Sequence, residues 1–117
     1  MFFAYPDEWN KRESTHGYGS IPLIWGDRVM MAVVTAPANQ PTGPFHKHPN
    51  EQIGVVLEGE VTMTIGDETR TLKQGDAYIA PPNVPHGRAE VPKKPIKMLE
   101  VFSPPREDLI KQSSQSK

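Results

Sequence analysis

The chain has 117 residues, 13 Lys or Arg against 14 Asp or Glu, a formal net charge of −1 and no Cys. This length fits one domain with its own core. The balanced charge, without a basic run, argues against nucleic-acid binding, and the lack of Cys excludes disulfides, thiolate ligands and Cys nucleophiles. No apolar run is long enough for a signal peptide or a membrane helix, so we expect a cytoplasmic protein without membrane contact.

Short apolar runs separated by turn residues predict an all-β barrel. The expected strands cover residues 28–36, 52–57, 60–65, 69–72, 78–80 and 96–102. Glu58-Gly59 indicates a hairpin between the second and third of these, and Gly66-Asp67 begins the next turn. One or two helical turns are expected at 106–111. The barrel domain then covers 1–112, and the polar residues 113–117 form a disordered tail.

Three of the four histidines fall in two short segments. His46 and His48 are two residues apart, and in an extended strand such residues point to the same face. His86 follows later, between Pro85 and Gly87. A lone histidine is usually exposed to solvent or hydrogen-bonded within the core. Three neutral imidazoles directed at one point, however, suit a divalent transition metal. The sequence therefore predicts a metal site, whereas His16 lies outside both segments and is expected to be exposed.

Residues 43–59 and 75–86 resemble the paired motifs of the cupin superfamily, in which His-x-His, an acidic residue and a later His hold one metal inside a small jelly-roll β-barrel. The matching positions are His46, His48, position 52 and Gly59 in the first motif, and Gly75, Pro81 and His86 in the second. Asn83 stands where the second motif usually has Gly, and Asn tolerates a left-handed backbone better than most residues. The resemblance implies a single-domain cupin barrel, or double-stranded β-helix.

The position of the acidic ligand departs from the family pattern, because residue 52 is Gln. Glu51 and Gln52 cannot both point inward unless a bulge intervenes, and the spacing to Gly59 favours Gln52. A neutral amide would leave the charge of the ion uncompensated, which makes it a stronger Lewis acid and a poorer match to the two-histidine, one-carboxylate iron site. The alternative is that Gln52 only forms hydrogen bonds inside the barrel and the metal has three ligands.

The last strand carries two different faces. Met98, Glu100 and Phe102 alternate with Leu99 and Val101, so one face places an acid beside an aromatic and the other is aliphatic. We expect the face with Glu100 to look into the barrel. The aliphatic face is expected to form the interface of a homodimer, the commonest oligomer. The alternative is that Glu100 has no functional role and is an exposed side chain in a salt bridge.

This ending, together with the MFF start, the Gln after His-x-His and the GDAY segment, resembles the KdgF family of small cupins, which convert 4,5-unsaturated monouronates to linear keto forms. The resemblance implies four metal ligands, two catalytic residues and two substrate-binding residues. These are, in that order, His46, His48, Gln52 and His86; Glu100 and Arg106; and Phe102 and Arg106. Arg106 would pair with the uronate carboxylate and Glu100 would move the proton. The family usually has Asp at the position of Glu100.

The expected function is therefore a metal-dependent, non-oxidative conversion of a small carboxylated sugar. The cofactor is one divalent transition ion, and Ni, Zn, Mn, Fe and Co all accept nitrogen and oxygen ligands. Two alternatives stay open, since the fold hosts many chemistries. The first is a cupin dioxygenase, which would consume oxygen. The second is a non-catalytic sugar- or metal-binding module, in which Glu100 and Arg106 would tolerate substitution.

Overall fold

The computed structural model describes residues 1–13 and 20–111, so the expectations for His16 and for the tail 113–117 lie outside the described residues. The described part contains these elements: β1 Asn10–Glu13, β2 Ser20–Trp25, β3 Met30–Ala36, β4 Glu51–Glu58, β5 Val61–Ile65, β6 Glu68–Leu72, β7 Ala77–Ala80, β8 His86–Arg88, β9 Ile96–Ser103 and α1 Glu107–Lys111. Within these ranges no helix has the length and apolar character needed to cross a membrane.

The strands form two antiparallel sheets, which confirms the predicted all-β barrel. The larger sheet has the order β1-β2-β3-β9-β4-β7, and the smaller has the order β6-β5-β8. One core cluster joins apolar side chains of both sheets, including Val56, Met63 and Met98. A second cluster packs Leu109 of α1 near Phe102. On β9, Glu100 lies between Met98 and Phe102, so the only acidic residue of that face stands between the two clusters.

The six predicted strands correspond to β3, β4, β5, β6, β7 and β9, and the predicted helical turns correspond to α1. Three strands were missed. β2 contains Pro22, and a proline normally argues against a paired strand. β1 has the wholly polar sequence NKRE, and β8 has only three residues. Their pairing partners, rather than local propensity, make these segments strands.

The predicted hairpin at Glu58-Gly59 is wrong, because β4 and β5 lie in different sheets. β4 pairs with β7 and β9, whereas β5 pairs with β6 and β8. Gly59 has a φ of 82°, and a Cβ at this position would lie 2.5 Å from the carbonyl oxygen of Pro95. The glycine therefore serves a close crossing between the sheets and not a two-residue turn.

The expectation that His46 and His48 lie in one strand is also wrong. His46 forms an isolated bridge with His86, with N–H to O distances of 3.0 and 2.9 Å in the two directions. His48 lies outside any strand. Pro44 and Pro49 flank the segment and have no backbone N–H to donate, which prevents a continuous ladder. The bridge, not a strand period, brings His46 beside His86.

The register of the large sheet positions Glu100, which lines the cavity described below. Ala32, Glu100, Gly54 and Tyr78 are neighbours in one row across β3, β9, β4 and β7. The ring of Tyr78 occupies the space that a Cβ on Gly54 would need. A glycine at this place therefore lets the tyrosine hydroxyl reach across β4 to Glu100.

Candidate metal centre and cavity

Three histidine side chains converge at one end of the barrel. The ring nitrogens of His46, His48 and His86 that could act as ligands all lie within 4.8 Å of one another. His86 is 2 % exposed, His48 is partly buried and His46 is exposed. The sequence prediction that these histidines form one cluster is confirmed.

Hydrogen bonds to backbone carbonyls determine which nitrogen carries the proton in two of these rings. His48 Nδ1 donates to the carbonyl of Asn50 over 3.0 Å, and His86 Nδ1 donates to the carbonyl of Val84 over 2.9 Å. A carbonyl oxygen can only accept, so the proton of each neutral ring is on Nδ1. Nε2 of both rings is therefore left with a free lone pair, the form in which histidine binds a metal.

Gln52 points into the same cluster and is 3 % exposed, whereas Glu51 is exposed. Its Oε1 atom lies 3.0 Å from Nε2 of His48 and 3.1 Å from Nε2 of His86. Its Nε2 atom donates to the hydroxyl of Tyr78 over 2.6 Å. The preference for Gln52 over Glu51 as the inward residue is thus confirmed.

The hydrogen bonds of Tyr78 determine which way the amide of Gln52 faces. Tyr78 donates its own proton to Oε2 of Glu100 over 3.0 Å. Since the tyrosine proton is directed at Glu100, the tyrosine oxygen accepts from the amide nitrogen of Gln52. The amide oxygen is then directed at the histidines.

The chemistry of this cluster fits a metal ion. The amide oxygen of Gln52 faces the Nε2 lone pairs of His48 and His86 at 3.0 and 3.1 Å, with no proton between them. Like acceptors repel unless a cation lies among them, and nitrogen with oxygen donors suits a divalent transition ion. Burial and the neighbouring His86 lower the pKa of His46 to about 4, and burial also lowers the pKa of His86. Both rings are therefore neutral at pH 7, as ligation requires.

A cavity of about 190 Å³ opens beside the cluster. Five of the residues singled out from the sequence line it, together with Arg88 and several apolar side chains; the five are His46, Gln52, His86, Glu100 and Arg106. Ligand pockets commonly span about 300–1,000 Å³. The space therefore suits a small molecule of about one ring.

Glu100 lies on the cavity wall and forms no salt bridge with any described residue. Burial raises the pKa of its carboxyl group, and this effect is partly offset by the hydrogen bond from Tyr78 and by the charges of Arg106 and Arg88. A carboxyl group with a raised pKa is well suited both to accept and to release a proton. The alternative of an exposed, salt-bridged Glu100 does not hold.

Arg106 lines the cavity, but part of its guanidinium is already engaged. Nε and Nη2 donate to the two carboxylate oxygens of Asp108 over 3.2 and 2.7 Å. The guanidinium carbon also lies 5.2 Å from the ring centroid of Phe102. Phe102 is 2 % exposed, and its ring lies 5.9 Å from that of His48. The predicted contact between Phe102 and a substrate stays a prediction, whereas its contact with Arg106 is direct.

Three residues of this region were missed by sequence reasoning. Tyr78 precedes Ala80 on the inner face of β7, and the alternation of that strand was the available signal. Arg88 follows His86 by two residues and so shares its face of β8. Asn50 carried no signal. Its side chain donates to the carbonyl of Pro104 over 2.6 Å, which ties the histidine segment to the segment that carries Arg106.

The geometry agrees with comparisons to known proteins. The family model described as "Cupin domain" matches residues 32–102. The pectin degradation protein KdgF of Dickeya dadantii is 36% identical over 89 residues, which cover 75% of this chain and 79% of that protein. The structure of KdgF from Halomonas superposes with a TM-score of 0.74 at 26% identity, covering 92% of this chain and 97% of that one.

A third relative matches over a shorter stretch. The H2HPP isomerase of Bacillus subtilis is 58% identical over 43 residues, which are 36% of this chain but only 18% of that protein's length. The match to the cupin model covers more than half of the chain, and the match to KdgF covers more than two thirds of that protein. The chain therefore belongs to the cupin family and is a homologue of KdgF.

Proposed function

We propose that this protein converts 4,5-unsaturated monouronates to their linear keto forms without oxidation, in the manner implied by its likeness to KdgF. The observation that carries the proposal is the joint placement of Glu100, Arg106 and the three-histidine cluster on one small cavity. An acid that can exchange a proton, a cation for a carboxylate and a set of metal donors are the groups that this reaction needs.

One divalent transition ion would be held by His46, His48, Gln52 and His86. Such an ion supplies Lewis-acid polarisation of a hydroxyl or carboxylate oxygen. Ni, Zn, Mn, Fe and Co all fit three imidazoles and an amide oxygen. Because no carboxylate belongs to this donor set, the site differs from the two-histidine, one-carboxylate centre of many iron oxygenases, which favours the non-oxidative reading.

Glu100 carries the proton in this scheme. Removal of the proton from the anomeric hydroxyl by Glu100 lets the ring C–O bond break as the aldehyde forms, and the ring oxygen leaves as an enolate. The enolate then takes the proton from Glu100 on carbon and becomes a ketone, so no atom is gained or lost overall. The raised pKa of Glu100 suits a group that takes up the first proton and returns one to carbon. Tyr78 holds its carboxylate in place through the 3.0 Å hydrogen bond.

Arg106 binds the uronate carboxylate at the other side of the cavity. Its guanidinium is planar and carries five N–H donors, of which Nε and Nη2 face Asp108 in the absence of ligand. Phe102 supports the guanidinium through its ring. The uronate therefore competes with Asp108 for the same fork of donors, and binding exchanges one carboxylate for another.

The decisive experiment is an absorbance time course with metal-loaded protein and a freshly generated 4,5-unsaturated monouronate. We expect the absorbance of the double bond to fall at the same rate with and without oxygen, and His86→Ala to abolish the change. Lys47→Ala is the matched control, because Lys47 is exposed between the two histidines of the motif. Oxygen consumption coupled to the reaction would favour the dioxygenase alternative, and binding without conversion would favour the non-catalytic module.

We also propose a homodimer formed through the aliphatic outer face of the large sheet. Ile53 and Ile79 are neighbours across β4 and β7 and are 44% and 58% exposed. Val101 continues the same row on β9, and Val55 pairs with Leu99 in the adjacent row. A patch of β-branched and aliphatic side chains spanning three strands offers a surface on which a second copy could pack about a two-fold axis.

Light scattering coupled to gel filtration tests the dimer. We expect the mass of two chains for the wild type and the mass of one chain for Ile53→Lys, since Ile53 lies on the middle strand of the patch and a lysine buried there cannot be paired. Val91→Lys is the matched control, because Val91 is also exposed but lies in a loop outside the sheet. A wild type with the mass of a single chain would contradict the proposal.

A further inference from the structure

Arg88 places a second guanidinium inside the cavity, apart from Arg106. It stands at the end of β8, two residues after His86, and pairs with Met63 of β5 in the register of the small sheet. Residues two apart on a strand share a face, so Arg88 and His86 both point between the sheets. Both line the cavity of about 190 Å³.

The surroundings of Arg88 leave its charge poorly compensated. Its Nη1 atom is buried and has no hydrogen-bond partner among the described residues. It forms no salt bridge in the described part of the chain, where the pair of Arg106 and Asp108 is the one that occurs. Glu100 acts on Arg88 only through its charge, and burial lowers the pKa of the guanidinium. A buried charged donor without an acceptor is costly, so an acceptor that reaches Arg88 Nη1 would relieve this cost.

Arg106 cannot take the place of Arg88. Two donors of Arg106 already face the oxygens of Asp108, over 3.2 and 2.7 Å. Arg88 has no such partner, so an acceptor that reaches its Nη1 displaces nothing of the protein. The same cavity therefore holds one guanidinium that is occupied and one that is ready to bind.

We propose that Arg88 is a specificity residue that binds an oxyanion of the ligand inside the barrel, and that the site selects small acids whose carboxylate is shared between Arg88 and Arg106. A uronate meets this requirement, because one oxygen of its carboxylate can accept from Arg88 while the other accepts from Arg106. The inference rests on the proposed function for the identity of the acid, but the binding step needs no turnover.

Isothermal titration of the Zn²⁺-loaded protein with D-galacturonate and with neutral D-galactose tests the assignment. We expect the wild type to prefer the acid, and Arg88→Met to weaken galacturonate binding at least about 10-fold, the loss expected for a buried charged hydrogen bond, while binding of galactose does not change. Arg70→Met is the matched control, because Arg70 pairs with the same Met63 from the other side but is exposed on β6.

Arg88→Lys keeps the charge and the folded core while removing the fork of donors. It therefore provides the test if Arg88→Met does not bind Zn²⁺. It should weaken galacturonate binding several-fold and leave galactose binding unchanged, because a lysine cannot reproduce planar two-point recognition. Equal galacturonate binding by Arg88→Lys and the wild type would overturn the assignment, as would a wild type that does not distinguish the acid from the neutral sugar.

The two proposals can fail separately. If the wild type converts the unsaturated uronate but galacturonate binding does not depend on Arg88, the assignment of Arg88 is wrong and the proposed reaction stands. If galacturonate binding depends on Arg88 but the unsaturated uronate is not converted, the oxyanion site stands and the reaction is wrong.

Discussion

The amide nitrogen of Gln52 donates to the hydroxyl oxygen of Tyr78 over 2.6 Å, and this bond decides what Gln52 presents to the histidines. Because the tyrosine proton is given to Glu100, the amide cannot rotate without placing its oxygen against the tyrosine oxygen, two acceptors with no proton between them. The protein thus uses a tyrosine and a glutamate to direct the oxygen of a neutral amide at His48 and His86.

The first prediction separates this orienting role from simple packing. Tyr78→Phe should raise the Kd for Zn²⁺ by about 10-fold, the lower end of what loss of an outer hydrogen-bond partner costs a metal site. In a Gln52→Glu background the same change should have little effect, since both oxygens of a carboxylate are equivalent and need no orientation. Competition titration with a chelator measures the four Kd values. An equal loss in both backgrounds would show that Tyr78 acts through packing.

The second prediction concerns the glycine beneath that tyrosine. Gly54→Ala places a methyl group where the ring of Tyr78 lies, and the ring has to move. Overpacking of this kind costs about 1–3 kcal/mol of unfolding free energy, and here it should also weaken Zn²⁺ binding. Urea denaturation of the metal-free protein and the chelator titration provide the two readouts. Gly26→Ala is the control, because a Cβ at Gly26 meets no atom within 4 Å.

The third prediction is a pH dependence of stability that originates in Glu100. Its pKa in the folded chain is raised, mainly by burial, above the ordinary value of 4.5 that holds in the unfolded chain. Between the two values the folded form binds more protons, so stability falls as the pH rises from about 4.5 through the folded pKa. Glu100→Gln removes this loss and should raise the Tm of the metal-free protein at pH 7, but not at pH 4, while abolishing conversion. Thermal melts from pH 4 to pH 8 check the sign, and a lower Tm of the variant at pH 7 would contradict it.

The fourth prediction addresses the competition between Asp108 and the uronate. Asp108→Asn removes the charge that engages Arg106, so KM for a carboxylated substrate should fall while Arg106→Ala raises KM. The stability cost of losing this pair should stay below about 1 kcal/mol, since Asp108 is 57% exposed and exposed pairs contribute little. Steady-state kinetics measure both KM values. An unchanged KM in Asp108→Asn would mean that the fork of Arg106 does not receive the ligand.

The sequence by itself determined the kind of fold and the histidine cluster of the candidate metal centre. Alternating apolar runs and turn residues were enough for six strands, because strands with one buried face show a period of two. Spacing to Gly59 identified Gln52 as inward, and the positive φ of 64° at Asn83 agrees with the expected left-handed turn.

Only the tertiary structure decided how these residues act together. The crossing at Gly59 and the bridge between His46 and His86 depend on contacts between segments distant in the chain, which local periodicity does not contain. The same holds for the chain of hydrogen bonds from Gln52 through Tyr78 to Glu100, which exists because the register sets Gly54 between the last two. Sequence spacing tells which face a side chain takes, whereas register and sheet order determine which other side chain it meets there.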